Sequence, residues 1–277
     1  MIEKTTSYEL GVHTCGFIWN WQAIEAVQEL IEAGINRFSL CAQPPHVDVR
    51  RITEDQKTEL RNAVTNANGE ISALDFPSID INLCSANPDA VRYSIEQHLM
   101  LINTAADLQC RWAATLPGRR HGLLPPPDDR LHDVMRRSFD QLSLEASRKG
   151  VRLLVENHPL SLLPKGSDIA SFIRQQRYDN IDIVYDITNA LFIDEDPDEG
   201  LRSCSDYLVA VHLSDTPAGQ WRHDRVGTGS VDFDSVLKTL CEINFSGQAI
   251  LEIISTNALP EILESRAFLS ERGWNFR

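Results

Sequence analysis

Eight short runs rich in β-branched and aromatic residues recur along the chain: YELGVH, INRFSLC, EISALDF, CRWAATL, VRLLVE, IDIVYD, YLVAVHL and QAILEI. Between them lie longer segments whose apolar residues return every three or four positions, most clearly NWQAIEAVQELIEAG and DVMRRSFDQLSLEASRKG. Most of the short runs are apolar without strict alternation, which is how strands read when a parallel sheet is covered on both faces. In EAGINRFSL and RKGVRLLVE a glycine stands between a helical pattern and the next strand, where a left-handed C-cap turns the chain back. Eight strand-helix units with no Pro- or Ser-rich linker predict an α/β chain folded as a single (β/α)8 TIM barrel over residues 1–277. LLPPPDD, Leu123 to Asp129, reads as a rigid loop opening the next helix, and no internal repeat or low-complexity segment interrupts the pattern.

Composition narrows the partners. At 277 residues and 42% hydrophobic content the chain is large enough to bury a full core. A formal net charge of -14 and a pI near 5.0 oppose association with nucleic acid or an anionic membrane, leaving a small solute as the expected partner. The beginning, MIEKTTSYELGVHTCGFIW, lacks the basic, apolar and small-residue succession of a leader, and no stretch reaches the roughly 18 apolar residues of a spanning helix. A cytoplasmic protein is expected. The 6 cysteines are scattered without a C-x-x-C pair, so they are expected to be reduced core residues rather than zinc ligands or disulfides.

The chemistry gathers where strands end. RLLVENHP carries an aliphatic strand into a bare carboxylate, Glu156, with no partner nearby in the chain. The next three strands end in Asp186, His212 and Glu252, each roughly one strand-helix unit after the last. In a (β/α)8 barrel these ends open onto one face, so the four side chains should meet. Taken singly, each has an ordinary explanation: a rim arginine for Glu156 or Glu252, a helix cap for Asp186, a hydrogen-bonded core position for His212. Together they are hard to explain that way, because three carboxylates cannot converge ionised without a cation. One bound divalent metal ion is the expectation.

In LLVENHP, VYDITNA and VAVHLSDT…HDRVGTGSVDF, with weaker echoes in LDFPSIDIN and LPGRRHG, the chain resembles the sugar phosphate isomerases and epimerases of the xylose isomerase-like TIM-barrel superfamily. The resemblance implies that Glu156, Asp186, His212 and Glu252 hold one divalent cation, with Mn2+ the first expectation and Mg2+, Co2+ or Zn2+ as others. It also implies that Glu156 and Glu252 are the catalytic acid and base on opposite faces of a bound ketose, and that a homodimer is common. The residue types suit that chemistry. A hydroxyketone, from a sugar or a cyclitol, chelates a metal through its carbonyl and adjacent hydroxyl, and the cation stabilises the enediolate formed when a proton leaves. Return of the proton to the same carbon epimerises it, and return to its neighbour isomerises the sugar.

Departures from the resembling proteins bear on substrate contacts. Where ketose 3-epimerases often carry a histidine three residues after the strand-6 aspartate, this chain has Asn189, and His158 stands where some have a second glutamate. Asn189 and Val226 also occupy positions where an endonuclease IV-like nuclease needs histidines for three zinc ions, which with the acidic pI argues against that activity. A dehydratase of the inosose or dehydroshikimate type and a non-catalytic sugar-binding barrel remain alternatives. Further candidate contacts are His121, with Arg119 and Arg120, in PGRRHG; Trp19, Trp21 and Trp221 as apolar faces for a sugar ring; Arg225 for a substrate oxygen; and His13 and His46. The GTG at Gly227 to Gly229 lacks nucleotide-fingerprint spacing and reads as a tight turn before a helix near Asp232.

Overall fold

A computed structural model describes residues 7–77 and 80–277. Strands β1 (Ser7–His13), β2 (Arg37–Cys41), β3 (Glu70–Asp75), β4 (Trp112–Thr115), β5 (Arg152–Glu156), β6 (Ile181–Asp186), β7 (Leu208–Leu213) and β8 (Gln248–Leu251) pair in parallel in chain order. β8 closes on β1, with Val12 opposite Leu251, so the sheet is the expected (β/α)8 barrel. The helices between strands are α1 (Ala23–Glu32), α2 (Glu54–Asn66), α3 (Pro88–Asp107), α4 (Asp128–Lys149), α5 (Gly166–Gln176), α6 (Ile187–Phe192), α7 (Pro197–Cys204) and α8 (Phe233–Glu242), followed by α9 (Ala258–Glu271).

Local chemistry sets the helix ends. α2 starts in a capping box, Thr53 accepting from the Gln56 amide while the Gln56 side chain accepts from that of Thr53. α4 stops at Gly150, whose φ of 70° is the left-handed cap expected from RKG. Two features differ from the expected regular alternation. β6 is followed by two short helices, because Asp186 ends the strand as the N-cap of α6 and Pro197 starts α7. A two-residue strand β9 (Asn275–Phe276) joins β1 beside Ser7 and Tyr8, too short a run to show periodicity. Among the described residues no helix is long and apolar enough to cross a membrane. Among the described residues the six cysteines form no disulfide, and Cys15 and Cys241 are only half-buried.

The barrel interior has an apolar floor beneath the site. Ala73, Trp112, Ala114, Leu154, Val184, Ala210 and Ile250 form a cluster separate from the larger core between sheet and helices. Because side chains alternate along a strand, the residue two positions beyond each of Leu154, Val184, Ala210 and Ile250 points the same way. Those residues are Glu156, Asp186, His212 and Glu252. The eighth ladder ends at Leu251, one residue short of Glu252, but the Glu252 amide still donates to Leu213 O at 3.1 Å, so the direction is kept.

Candidate metal centre

One ligand-type atom from each of Glu156, Asp186, His212 and Glu252 lies within 4.8 Å of the others. His212 Nδ1 is 3.0 Å from Glu252 Oε2, 3.4 Å from Glu156 Oε1 and 3.9 Å from Asp186 Oδ2. Ligands held at ~2.1 Å around a tetrahedral ion would be separated by ~3.4 Å, so the cluster is near that scale. Asp186 Oδ2, His212 Nδ1 and Glu252 Oε2 are buried without a hydrogen-bond partner. The 3.0 Å approach of His212 to Glu252 is too poorly aligned to count as a hydrogen bond. Three unsatisfied groups of ligand type aimed at one point fit a cation, since buried polar atoms are otherwise almost always paired.

Neighbouring residues set this arrangement. Asn157, fully buried, clamps β5 to β6: Asp186 N donates to its Oδ1 at 2.7 Å and its Nδ2 donates to Asp186 O at 2.9 Å. Asp186 divides its two oxygens. Oδ1 accepts from the Asn189 amide at 2.6 Å and from Thr188 Oγ1 at 2.8 Å, capping α6, which leaves Oδ2 for the cluster. The helix-cap and ligand readings of this residue are therefore compatible. Asn189 Nδ2 donates to Glu156 Oε1 at 3.1 Å, and its Oδ1 accepts from Trp221 Nε1 at 2.8 Å. Expected as a substrate contact, Asn189 lines the cleft but has its Nδ2 on Glu156 and Asn157 O and its Oδ1 on Trp221.

The electrostatics express the same excess of negative charge. Burial, then Glu252 nearby, raises the Glu156 carboxyl to about 8, against the pull of His212. Burial also raises Asp186. Glu252, despite its burial, is held well below the usual carboxylate range by His212 and His223. Burial works to lower His212, but Glu252 and Glu156 lift it well above the usual imidazole value. Without a cation, protons partly neutralise the cluster.

His13, a candidate from the sequence, borders the cluster, and two further contributors, His223 and Asp215, were not singled out there. His13, on β1, meets Asp75, on β3, at 3.0 Å through Nε2, and its Nδ1 accepts from the Cys15 amide. The same Nδ1 lies 3.7 Å from Glu252 Oε1. His223 Nδ1 lies 3.6 Å from both Asp186 Oδ2 and Glu252 Oε2. It arrives there because Asp215 and Asp224 form an antiparallel bridge that folds HDRVGTG back over the site. The Asp215 carboxylate accepts from the amides of Thr216, Gly227, Gly229 and Val231, and at Gly229 an added Cβ would lie 2.4 Å from Asp215 Oδ1. The motif is a turn wrapped around a buried carboxylate, and α8 starts after its Asp232 cap as expected.

A cleft of about 670 Å³ opens above the cluster, lined among others by Trp19, His158, Asn189, Trp221 and His223. Trp19 is 70% exposed at its rim. His158 Nδ1 accepts from the Leu160 amide at 3.2 Å, its ring stands edge-on to Trp221, and burial lowers it to about 4, so it is neutral. Arg225 does not face the cleft: it pairs with Glu264, on α9, at 2.9 Å. His121 is exposed and folded onto its own loop, accepting from the Leu123 and Leu124 amides, and Arg120 pairs with Asp128. His46 is locked between Trp21 O and Thr14 Oγ1, away from the cluster.

A closed parallel barrel with an acidic, histidine-bearing cluster at the C-terminal ends of its strands defines a TIM barrel with a candidate metal centre at the end where such folds place their active sites. The chain belongs to the xylose isomerase-like TIM barrel family, whose model matches residues 27–272. It is 24% identical over 247 residues, 88% of both chains, to an uncharacterized protein of Methanocaldococcus jannaschii. It is 27% identical over 146 residues to the L-ribulose-5-phosphate 3-epimerase UlaE of Salmonella paratyphi A, a match spanning 52% of this chain and 50% of that one. A crystal structure of a D-tagatose 3-epimerase-like protein superposes with a TM-score of 0.84 at 18% identity, covering 95% of this chain and 96% of the other.

Proposed function

We propose that this protein is a divalent-metal-dependent isomerase or epimerase of a ketose or related hydroxyketone. The observation that carries the reading is the convergence of Asp186 Oδ2, His212 Nδ1 and Glu252 Oε2, buried and unsatisfied, beside Glu156. These four residues would hold the ion. A bound cation would polarise the carbonyl and make the adjacent C–H more acidic. Glu156 and Glu252 approach the cluster from β5 and from the end of β8, so one takes the proton from one side of the carbon and the other returns it from the opposite side. Asn189 keeps Glu156 oriented, while His13 and His223 flank Glu252. The epimerase activity named for the Salmonella relative supports the same reaction class.

The test is deuterium incorporation from heavy water into a panel of ketoses and inososes with Mn2+ present. Exchange at a carbon next to the carbonyl, lost in Glu156→Gln and Glu252→Gln while both variants remain folded, is the expected result. Loss of water to an enone would make the protein a dehydratase. Absence of exchange across the panel would sink the enzymatic reading.

A further inference from the structure

A second cavity of about 250 Å³ opens beside the metal cleft and shares Pro77, Leu116, His158 and Trp221 with it. Its remaining walls are mainly apolar, with Ile81, Leu83 and Leu160 among them. Leu160 is 53% exposed in the absence of any occupant. Arg119 also lines this cavity, and among the described residues its guanidinium has no carboxylate partner. A cavity of ~150 Å³ with aliphatic and aromatic walls already accommodates benzene, so this one has room for a ring. Resting on the hydroxyketone reading above, we propose that the substrate carries, beyond its reacting end, an apolar substituent of aromatic-ring size that enters this side cavity. Arg119 lies over the ring as a cation on a π face, and Leu116 and Trp221 form the wall that the two compartments share. A phosphate fits the cavity poorly. Its charges would be desolvated among Ile81, Leu83, Leu116 and Leu160, with one guanidinium as the charged partner and the His98 ring nitrogens already bonded to Ser94 O and Thr115 Oγ1.

The experiment is calorimetric binding to the Mn2+-loaded protein of three probes: hydroxyacetone, 1-hydroxy-4-phenylbutan-2-one and dihydroxyacetone phosphate. The phenyl compound is expected to bind roughly thirtyfold more tightly than hydroxyacetone, the order expected for burying one phenyl ring. Ile81→Trp and, independently, Leu160→Trp fill the cavity from different walls. Either should abolish that advantage while leaving hydroxyacetone affinity and the circular dichroism spectrum unchanged. Equal affinity for the phenyl compound and hydroxyacetone, an advantage that survives both fillings, or a gain from phosphate instead of phenyl would overturn the inference and leave the hydroxyketone reading standing. If none of the probes binds, both fail.

Discussion

The two ends of the barrel handle buried charge in opposite ways. Where the strands begin, acids meet cations: Arg152 grips Asp182 at 2.6 and 2.7 Å, Trp112 Nε1 donates to the same carboxylate at 2.8 Å, and Arg37 reaches Glu9 and Glu70 at 3.6 Å. The carboxylate-bearing groups there are answered by guanidinium, indole or amide donors, with Arg37 Nε and Gln248 Oε1 left over. Where the strands end, the charged partners of Glu156, Asp186 and Glu252 among the described residues are imidazoles rather than guanidinium groups, and three ligand-type atoms have no hydrogen bond. Carboxylates are thus largely paired with donors at one end of the barrel and left short of partners at the other. An unfinished buried network costs stability, and its retention points to something that completes it.

The sharpest way to break the contrast is at Asp186. Asp186→Ala should lower Mn2+ affinity by ~100-fold or more, measured by calorimetry, because even outer-sphere changes at metal centres cost ~10–100-fold. Loss of the α6 cap should cost a further ~1 kcal/mol of stability. At the opposite end the expectation reverses. Arg152→Met leaves Asp182 without its guanidinium and should destabilise the fold by ~2 kcal/mol in urea titration, less than a fully buried pair because the arginine side chain is 39% exposed. Metal affinity should not change. If it does, the two ends are coupled through the apolar floor and the comparison fails.

Acidity gives a third test. In the metal-free protein Glu156 titrates near 8 and His212 well above the usual imidazole value, so at neutral pH both carry protons that a cation must displace. Affinity should therefore rise with pH, by about tenfold per unit for each proton released, and fall as the medium is acidified. Calorimetry in two buffers of different ionisation heat counts those protons, and a count of zero contradicts the protonated cluster. The smallest effect is expected from Arg225→Ala. Its partner Glu264 is exposed, so stability should move by less than ~0.5 kcal/mol and metal affinity not at all.

Much of this was legible in the sequence. Strand runs such as IDIVYD and helix stops such as RKG depend on neighbours in the chain, and the four polar strand ends could be aligned because each follows an apolar residue two positions earlier in a strand of known direction. Arg225 and His121 were misplaced because their surroundings come from afar: Glu264 belongs to another helix, and the loop around His121 folds onto its own ring. Asn157 and Asp215 gave no signal, since a side chain that replaces a missing backbone partner has no periodicity.

The sequence alone determined that eight parallel strands would close and that two glutamates, an aspartate and a histidine would sit at one rim, because the first follows from the strand-helix succession and the second from the polar residue that ends each strand. Only the tertiary structure decided which oxygen of Asp186 is consumed as a cap and which is left free, that His13 and His223 flank Glu252, and that an apolar side chamber adjoins the cleft. Those outcomes depend on distances between groups from different strands and loops, which closure of the barrel sets and local pattern does not encode.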